Sequence, residues 1–161
     1  GDVYKRQQYE YAILILKKFL EEPDGWIEDK LNSCLVLSCC YQAMGENAAA
    51  FDILFYSFTM DVPRAEICCE IGRLFMEKRE YVTAAYWYQQ ALLAPRKKKN
   101  GGFYIADSHD FIPAIQMCVC LDKAGRHREA FEFHKKARVL KPLHQAVIGN
   151  EKYFRDVWGM E

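Results

Sequence analysis

Between residues 66 and 95 apolar side chains recur at a helical spacing, stop, and recur again. Cys68, Ile71, Gly72 and Phe75 stand at i, i+3, i+4 and i+7, which puts them on one face of a helix. Tyr81, Ala84, Tyr88 and Ala91 do the same for a second helix. The polar run Lys78, Arg79, Glu80 separates the two, and Pro95 closes the second, since proline lacks the N–H that would continue a helix. The pattern predicts a helix–turn–helix hairpin, with small residues where backbones approach and aromatic rings in the gaps. Residues 9–22, YEYAILILKKFLEE, predict another helix, broken by Asp24 and Gly25. Trp26 is expected to plug the end of the helical stack; stacking on a ligand is its functional alternative. The run Phe55, Tyr56, Ser57, Phe58 predicts a helix covered by neighbours on both sides.

The hairpin recurs. Ala50 precedes Ala84, Tyr41 precedes Phe75 and Cys34 precedes Cys68, each at the same distance, with Gly45 as a turn glycine and Val62 and Pro63 as the stop. After an insertion, Ala130 and Ala137 repeat Ala84 and Ala91, with Gly125 in the turn and Pro142 at the close. The hairpin resembles the tetratricopeptide repeat (TPR), a unit of 34 residues: Gly72, Phe75, Tyr81, Ala84, Tyr88 and Ala91 stand where that repeat carries its glycine, aromatics and alanines. The expected fold is therefore all-α, a right-handed superhelical stack of helix–turn–helix hairpins, with about three repeats plus flanking helices. The expected division is a partial repeat and leading loop at 8–30, repeats at 31–64, 65–95 and 111–142, an inserted loop at 96–110 and a capping helix at 143–161. A cap is expected because a terminal repeat has no successor to cover its apolar face. Val147, Ile148, Tyr153, Phe154 and Trp158 are available for docking it. Residues 1–7, GDVYKRQ, resemble translated sequencing-adapter sequence and are set aside as non-native; the natural chain is expected to extend further back.

Composition narrows the function classes. With 161 residues and 51% hydrophobic content the chain suits one domain with a sizeable core. Its 22 basic and 22 acidic residues leave no net field to recruit nucleic acid or an anionic membrane, so neither is expected as a partner. The longest apolar run, residues 11–16, is far below the roughly 20 residues of a membrane-spanning helix. The seven cysteines form no C-x-x-C pair and have no histidine at ligand spacing, so no metal site is expected. Cys34, Cys68 and Cys118 fall on inner helix stripes as small hydrophobes, which fits a reducing, cytoplasmic setting. His127 and His134 stand where repeats carry aromatics and are expected to pack.

The inserted stretch RKKKNGGFYIADSHD begins with a basic turn, residues 96–102, expected to be solvated; contact with a phosphate or an acidic partner is its functional alternative. Phe103, Tyr104 and Ile105 are expected to dock on the stack. Ser108 or Asp110 is placed to cap the next helix.

A narrower resemblance lies in the pairs Tyr104/Ile105 and His109/Asp110, the turn Ala124/Gly125, Ala130, Ala137, Pro142, Asn150 and Tyr153/Phe154. In that order they resemble the C-terminal TPR tail of bacterial family-2 glycosyltransferases, although a tryptophan often found before the His–Asp pair is absent. The early segment FLEEPDGW fits the same pattern. The resemblance implies a parent enzyme whose tail positions an acceptor or partner. The chain itself has no Asp-x-Asp, P-loop, Gly-x-Ser-x-Gly or Cys/His arrangement that could carry the reaction, so it is expected to be non-catalytic and free of cofactors.

What remains is a binding and scaffolding role. Stacked hairpins turn their first helices toward a concave groove, where side chains between the packing positions meet a ligand. These are Asn32, Leu35, Cys39 and Gln42 in the first repeat; Glu66, Cys69, Arg73, Met76 and Glu77 in the second; and Ile112, Ile115, Val119 and Asp122 in the third. The partner is expected to be a protein or peptide, or an attached catalytic domain; a free-standing adaptor holding an extended peptide is the alternative. The Lys/Asn/Arg clamp with which some repeats hold a C-terminal carboxylate is not present, its positions being Leu35, Cys39, Glu70, Ile112 and Gln116.

Overall fold

The computed structural model describes residues 1–96 and 102–161, which form eight α-helices and no strand. These are α1 (Asp2–Glu21), α2 (Ile27–Ala43), α3 (Asn47–Tyr56), α4 (Ala65–Glu77), α5 (Tyr81–Leu93), α6 (Phe111–Lys123), α7 (His127–Leu140) and α8 (Gln145–Trp158). They fall into two compact units. One holds Gly1–Pro63 with the described part of Lys97–Tyr104; the other holds Arg64–Arg96 with Ile105–Glu161.

In the first unit α1 packs on α2 and α2 on α3. Leu20, Cys34 and Leu37 are buried at the centre, with Ile13, Leu16, Tyr41, Ile53 and Met60 against them. Helix α1 begins at Asp2, not at Tyr9, so the segment set aside on sequence grounds is helical. No proline or glycine interrupts residues 2–21, and Arg6 pairs with Glu10 one turn on and with Glu46 at 3.7 Å. Helix α2 starts at Ile27, four positions before the predicted repeat boundary at Leu31. Trp26 precedes it with 51% of its surface exposed, so it does not plug the stack. The aromatic run is not a helix covered all round either. Helix α3 ends at Tyr56, which is exposed, and Ser57–Thr59 tightens into a 3-10 turn as the Ser57 hydroxyl donates to the Leu54 carbonyl at 2.6 Å.

In the second unit α4 packs on α5, α5 on α6, α6 on α7 and α7 on α8. The α4–α5 contact is close because its residues are small. A Cβ at Gly72 would lie 2.8 Å from Cε2 of Tyr88, and Ala84 and Ala91 are fully buried. Asp110 caps α6, its carboxylate accepting from the Phe111 N–H; Ser108 is buried in the preceding 3-10 turn, Ala106–His109. Ile105 is exposed, against the expectation that it docks. Of the basic turn, Arg96 pairs with Asp110 at 3.2 Å, while residues 97–101 lie outside the described residues. In α8, Val147 and Phe154 are buried and Tyr153 partly so, whereas Ile148 and Trp158 remain exposed.

All three hairpin turns close the same way. The N–H groups of Gly45, Arg79 and Gly125 donate to the carbonyls of Gln42, Met76 and Asp122, and the next N–H groups reach back to Tyr41, Phe75 and Leu121. This two-bond C-cap needs a left-handed residue, and all three have positive φ: 74°, 58° and 82°.

Candidate functional site

The first helices of the second unit, α4 and α6, lie against each other, and α8 follows α6. Between α6 and α8 opens a cleft of about 220 Å³, lined by Cys118, Val119, Asp122 and Lys123 on one side and Asn150, Tyr153 and Phe154 on the other. One carboxylate organises its wall. Asp122 Oδ2 accepts from the Tyr153 hydroxyl at 2.7 Å, and Oδ1 accepts from Nδ1–H of His127 at 2.6 Å. The Trp158 indole donates to the same Tyr153 oxygen at 3.1 Å and stacks on His127, ring centroids 3.9 Å apart. The phenol of Tyr153 titrates above its ordinary value: the Trp158 hydrogen bond pulls it down, but burial and the bond to Asp122 outweigh that.

Behind the cleft, α8 is fastened to α7. Phe154 packs on Phe131 and on His134, which is fully buried. His134 Nε2–H donates to the Glu151 carboxylate, which also accepts from Arg138 at 2.7 and 2.9 Å. The His134 bond foremost, together with Arg138 and against partial burial, holds the Glu151 carboxyl below its ordinary value. His127 and His134 thus pack as aromatics and also work as hydrogen-bond donors.

The predicted groove residues divide by location. In the first unit, Asn32 and Cys39 are exposed, and Leu35 and Gln42 half-buried, along α2. In the second unit, Arg73 and Met76 are half-buried and Glu77 exposed on α4; Ile112, Val119 and Asp122 are half-buried on α6. Arg73 bridges Glu70 and Glu77 on its own helix, and the Glu70 bond raises its pKa further. Three residues are withdrawn from any ligand. Glu66 and Cys69 are buried because the 3-10 turn Ala106–His109 packs against α4: His109 Nε2 stands 3.5 Å from Glu66, and the Cys69 thiol donates to the Ser108 carbonyl. Ile115 is buried in a cluster with Phe111, Ala114, Ala137 and Val147 of α8. Lys123, Asn150 and Tyr153 line the cleft without having been assigned to the groove. Treating α8 as one more first helix would have found two of them, since a 34-residue step from Gln116 and Val119 reaches Asn150 and Tyr153.

The two buried cysteines of α6 are not activated. Burial pushes the Cys118 and Cys120 thiols up to about 12, far from a reactive thiolate at neutral pH. Burial also lowers the basicity of His109, helped by Arg96 and Arg64 and opposed by Asp110. Among the described residues no group of three His, Cys, Asp or Glu side chains could hold a metal ion, and no helix is long and apolar enough to cross a membrane.

No family model matches the chain, and no curated protein matches it either. Solved structures do. A MamA structure designated AMB-1 is similar over 98% of this chain and 82% of its own, at 18% identity and a TM-score of 0.66. A second MamA crystal structure is similar over 96% of this chain and 86% of its own, at 22% identity and a TM-score of 0.63. A third, MamA MSR-1, covers 98% and 87% at 19% identity, with a TM-score of 0.64. The fold is all-α, a TPR-like helical solenoid. At these identities the likeness carries the fold alone.

Proposed function

We propose that this chain is a non-catalytic protein-interaction module that holds an extended peptide in the cleft between α6 and α8. The observation that carries this reading is the closed set of bonds around Asp122. With both oxygens of its carboxylate engaged by Tyr153 and His127, the wall is set before any ligand arrives, and less ordering entropy is lost on binding. Val119 offers an apolar contact, and Lys123 and Asn150 offer polar ones. Arg73, Met76 and Glu77 stand on α4, which contacts α6. The test is to pan a library of extended peptides on the protein and measure the enriched ones by fluorescence anisotropy. Val119→Asp and Asn150→Ala should each weaken binding by about tenfold, roughly 1.4 kcal/mol, while Glu132→Ala on exposed α7 should not. Peptides indifferent to both cleft changes, and to Arg73 and Glu77 altered together, would sink the reading.

For its place in a larger protein we propose the C-terminal TPR region of a bacterial family-2 glycosyltransferase, positioning an acceptor or partner. What supports this is that several residues of the resemblance make contacts within the second unit. His109 meets Glu66, Asp110 caps α6, and Tyr153 binds Asp122. A free-standing adaptor accommodates the same cleft equally well. The coding sequence upstream decides: a sugar-nucleotide domain with an Asp-x-Asp supports the tail, whereas further repeats or a start codon support the adaptor.

A further inference from the structure

Helices α4 and α6 each have a second helix packed on them, α5 and α7. On α8 the outer stripe Ile148, Lys152 and Arg155, at i, i+4 and i+7, is exposed among the described residues. Beside that stripe runs a groove of about 390 Å³, its floor Val147, Ile148 and Pro142 and its rim Arg138, Lys152 and Arg155. Its walls are mostly apolar, and 54% of the Ile148 surface is exposed. The single carboxylate in it, Glu151, is already held by Arg138 and His134. Lys152 makes no ion pair among the described residues, and Arg155 meets only the exposed Asp156, at 3.4 Å. An apolar floor inside a cationic rim is complementary to one kind of surface.

We infer that this groove docks an amphipathic helix of a partner protein whose apolar stripe is flanked by acidic residues. Such a helix would lie along α8 and insert aliphatic side chains over Val147 and Ile148, the helix-in-groove mode. Its carboxylates would meet Lys152 and Arg155, which set orientation and association rate more than affinity. The groove uses a different face of α8 from Asn150 and Tyr153, so the two sites are separable.

The test uses the full chain and two labelled, stapled helical peptides, read by fluorescence anisotropy. One carries leucines at i, i+3, i+4 and i+7 flanked by glutamates; the other replaces the glutamates with lysines. The glutamate peptide should bind, and the lysine peptide should bind at least about tenfold more weakly. Ile148→Asp should cost a similar factor, and the pair Lys152→Glu with Arg155→Glu should reverse the preference. Glu132→Ala, at an exposed position of α7, should leave both affinities unchanged. Equal binding of both peptides, or indifference to Ile148→Asp, overturns the inference. So does self-association in sedimentation experiments that Ile148→Asp abolishes, because a second copy is then the occupant. If Ile148→Asp fails to fold by circular dichroism, the charge-reversal pair decides, since it removes no apolar contact.

Discussion

Arg79 is the non-glycine residue that the fold holds at positive φ among the described residues, 58°, in the turn position that Gly45 and Gly125 occupy in the other hairpins. The left-handed region brings Cβ against the following carbonyl and costs an L-residue about 1–2 kcal/mol. The Arg79 side chain is exposed and forms no ion pair among the described residues, so its removal forfeits little. Glycine would relieve the strain but return roughly 0.4–1 kcal/mol through the greater freedom of the unfolded chain. The expected net effect of Arg79→Gly is a stabilisation of about 0.5–1 kcal/mol, or roughly 2–4 °C in Tm at the upper end. The reverse change isolates the same cause. Nothing lies within 4 Å of a Cβ built at Gly45 or Gly125, so Gly45→Ala and Gly125→Ala should cost about 1 kcal/mol through φ alone. Urea denaturation followed by far-UV circular dichroism measures all three. If Arg79→Gly destabilised the protein while both alanine variants were neutral, backbone strain would not be what distinguishes these turns.

Ala84 and Ala130 are fully buried where helices touch, so leucine at either should overpack the contact by about 1–3 kcal/mol, whereas Glu132→Leu on an exposed face should move stability by about 0.5 kcal/mol or less; thermal melts of the three compare them directly. Gly72→Ala should be destabilising by a similar 1–3 kcal/mol, with a changed near-UV tyrosine signal, because the new methyl group meets the buried Tyr88 ring. Glu151 gives a pH dependence. Its folded pKa lies below its ordinary value of 4.5, so its contribution is present above that value and is lost as pH falls through the folded pKa. The stability difference between wild type and Glu151→Gln should therefore shrink as denaturation is repeated from pH 6 down to pH 3; a constant difference would remove the carboxylate from the docking of α8.

The hairpins were legible because their packing is local and periodic. Gly72, Ala84 and Ala130 mark close approaches in the sequence itself, and Gly45 and Gly125 mark turns. The second turn was readable only from its polar run, since Arg79 adopts the glycine geometry without being glycine. Legibility failed where the covering group is remote in sequence and follows no period. Glu66 and Cys69 look like groove residues on α4 until the turn at Ala106–His109 closes on them, and Ile115 until Val147 of α8 does. Trp26 and Ile148 failed in the opposite sense: both are large and apolar, yet each stays about half exposed among the described residues. Asp122 was visible as a groove carboxylate, but its bonds to His127 and Tyr153 join α6, α7 and α8, which no helical spacing reveals.

The placement of the thiols turns the chain into its own set of clocks. Cys39 is exposed, whereas α2, α4 and α6 each carry two buried cysteines: Cys34 and Cys40, Cys68 and Cys69, Cys118 and Cys120. Burial raises all six, Cys34 to about 11 and Cys68 to about 12, so in the closed state they are silent toward alkylating reagents. Alkylation of a given pair then waits for its own hairpin to open. In a fold built of near-neighbour contacts those openings need not be simultaneous. Mass-resolved labelling of the unmodified wild-type protein would thus time the breathing of each repeat separately, with no engineered probe.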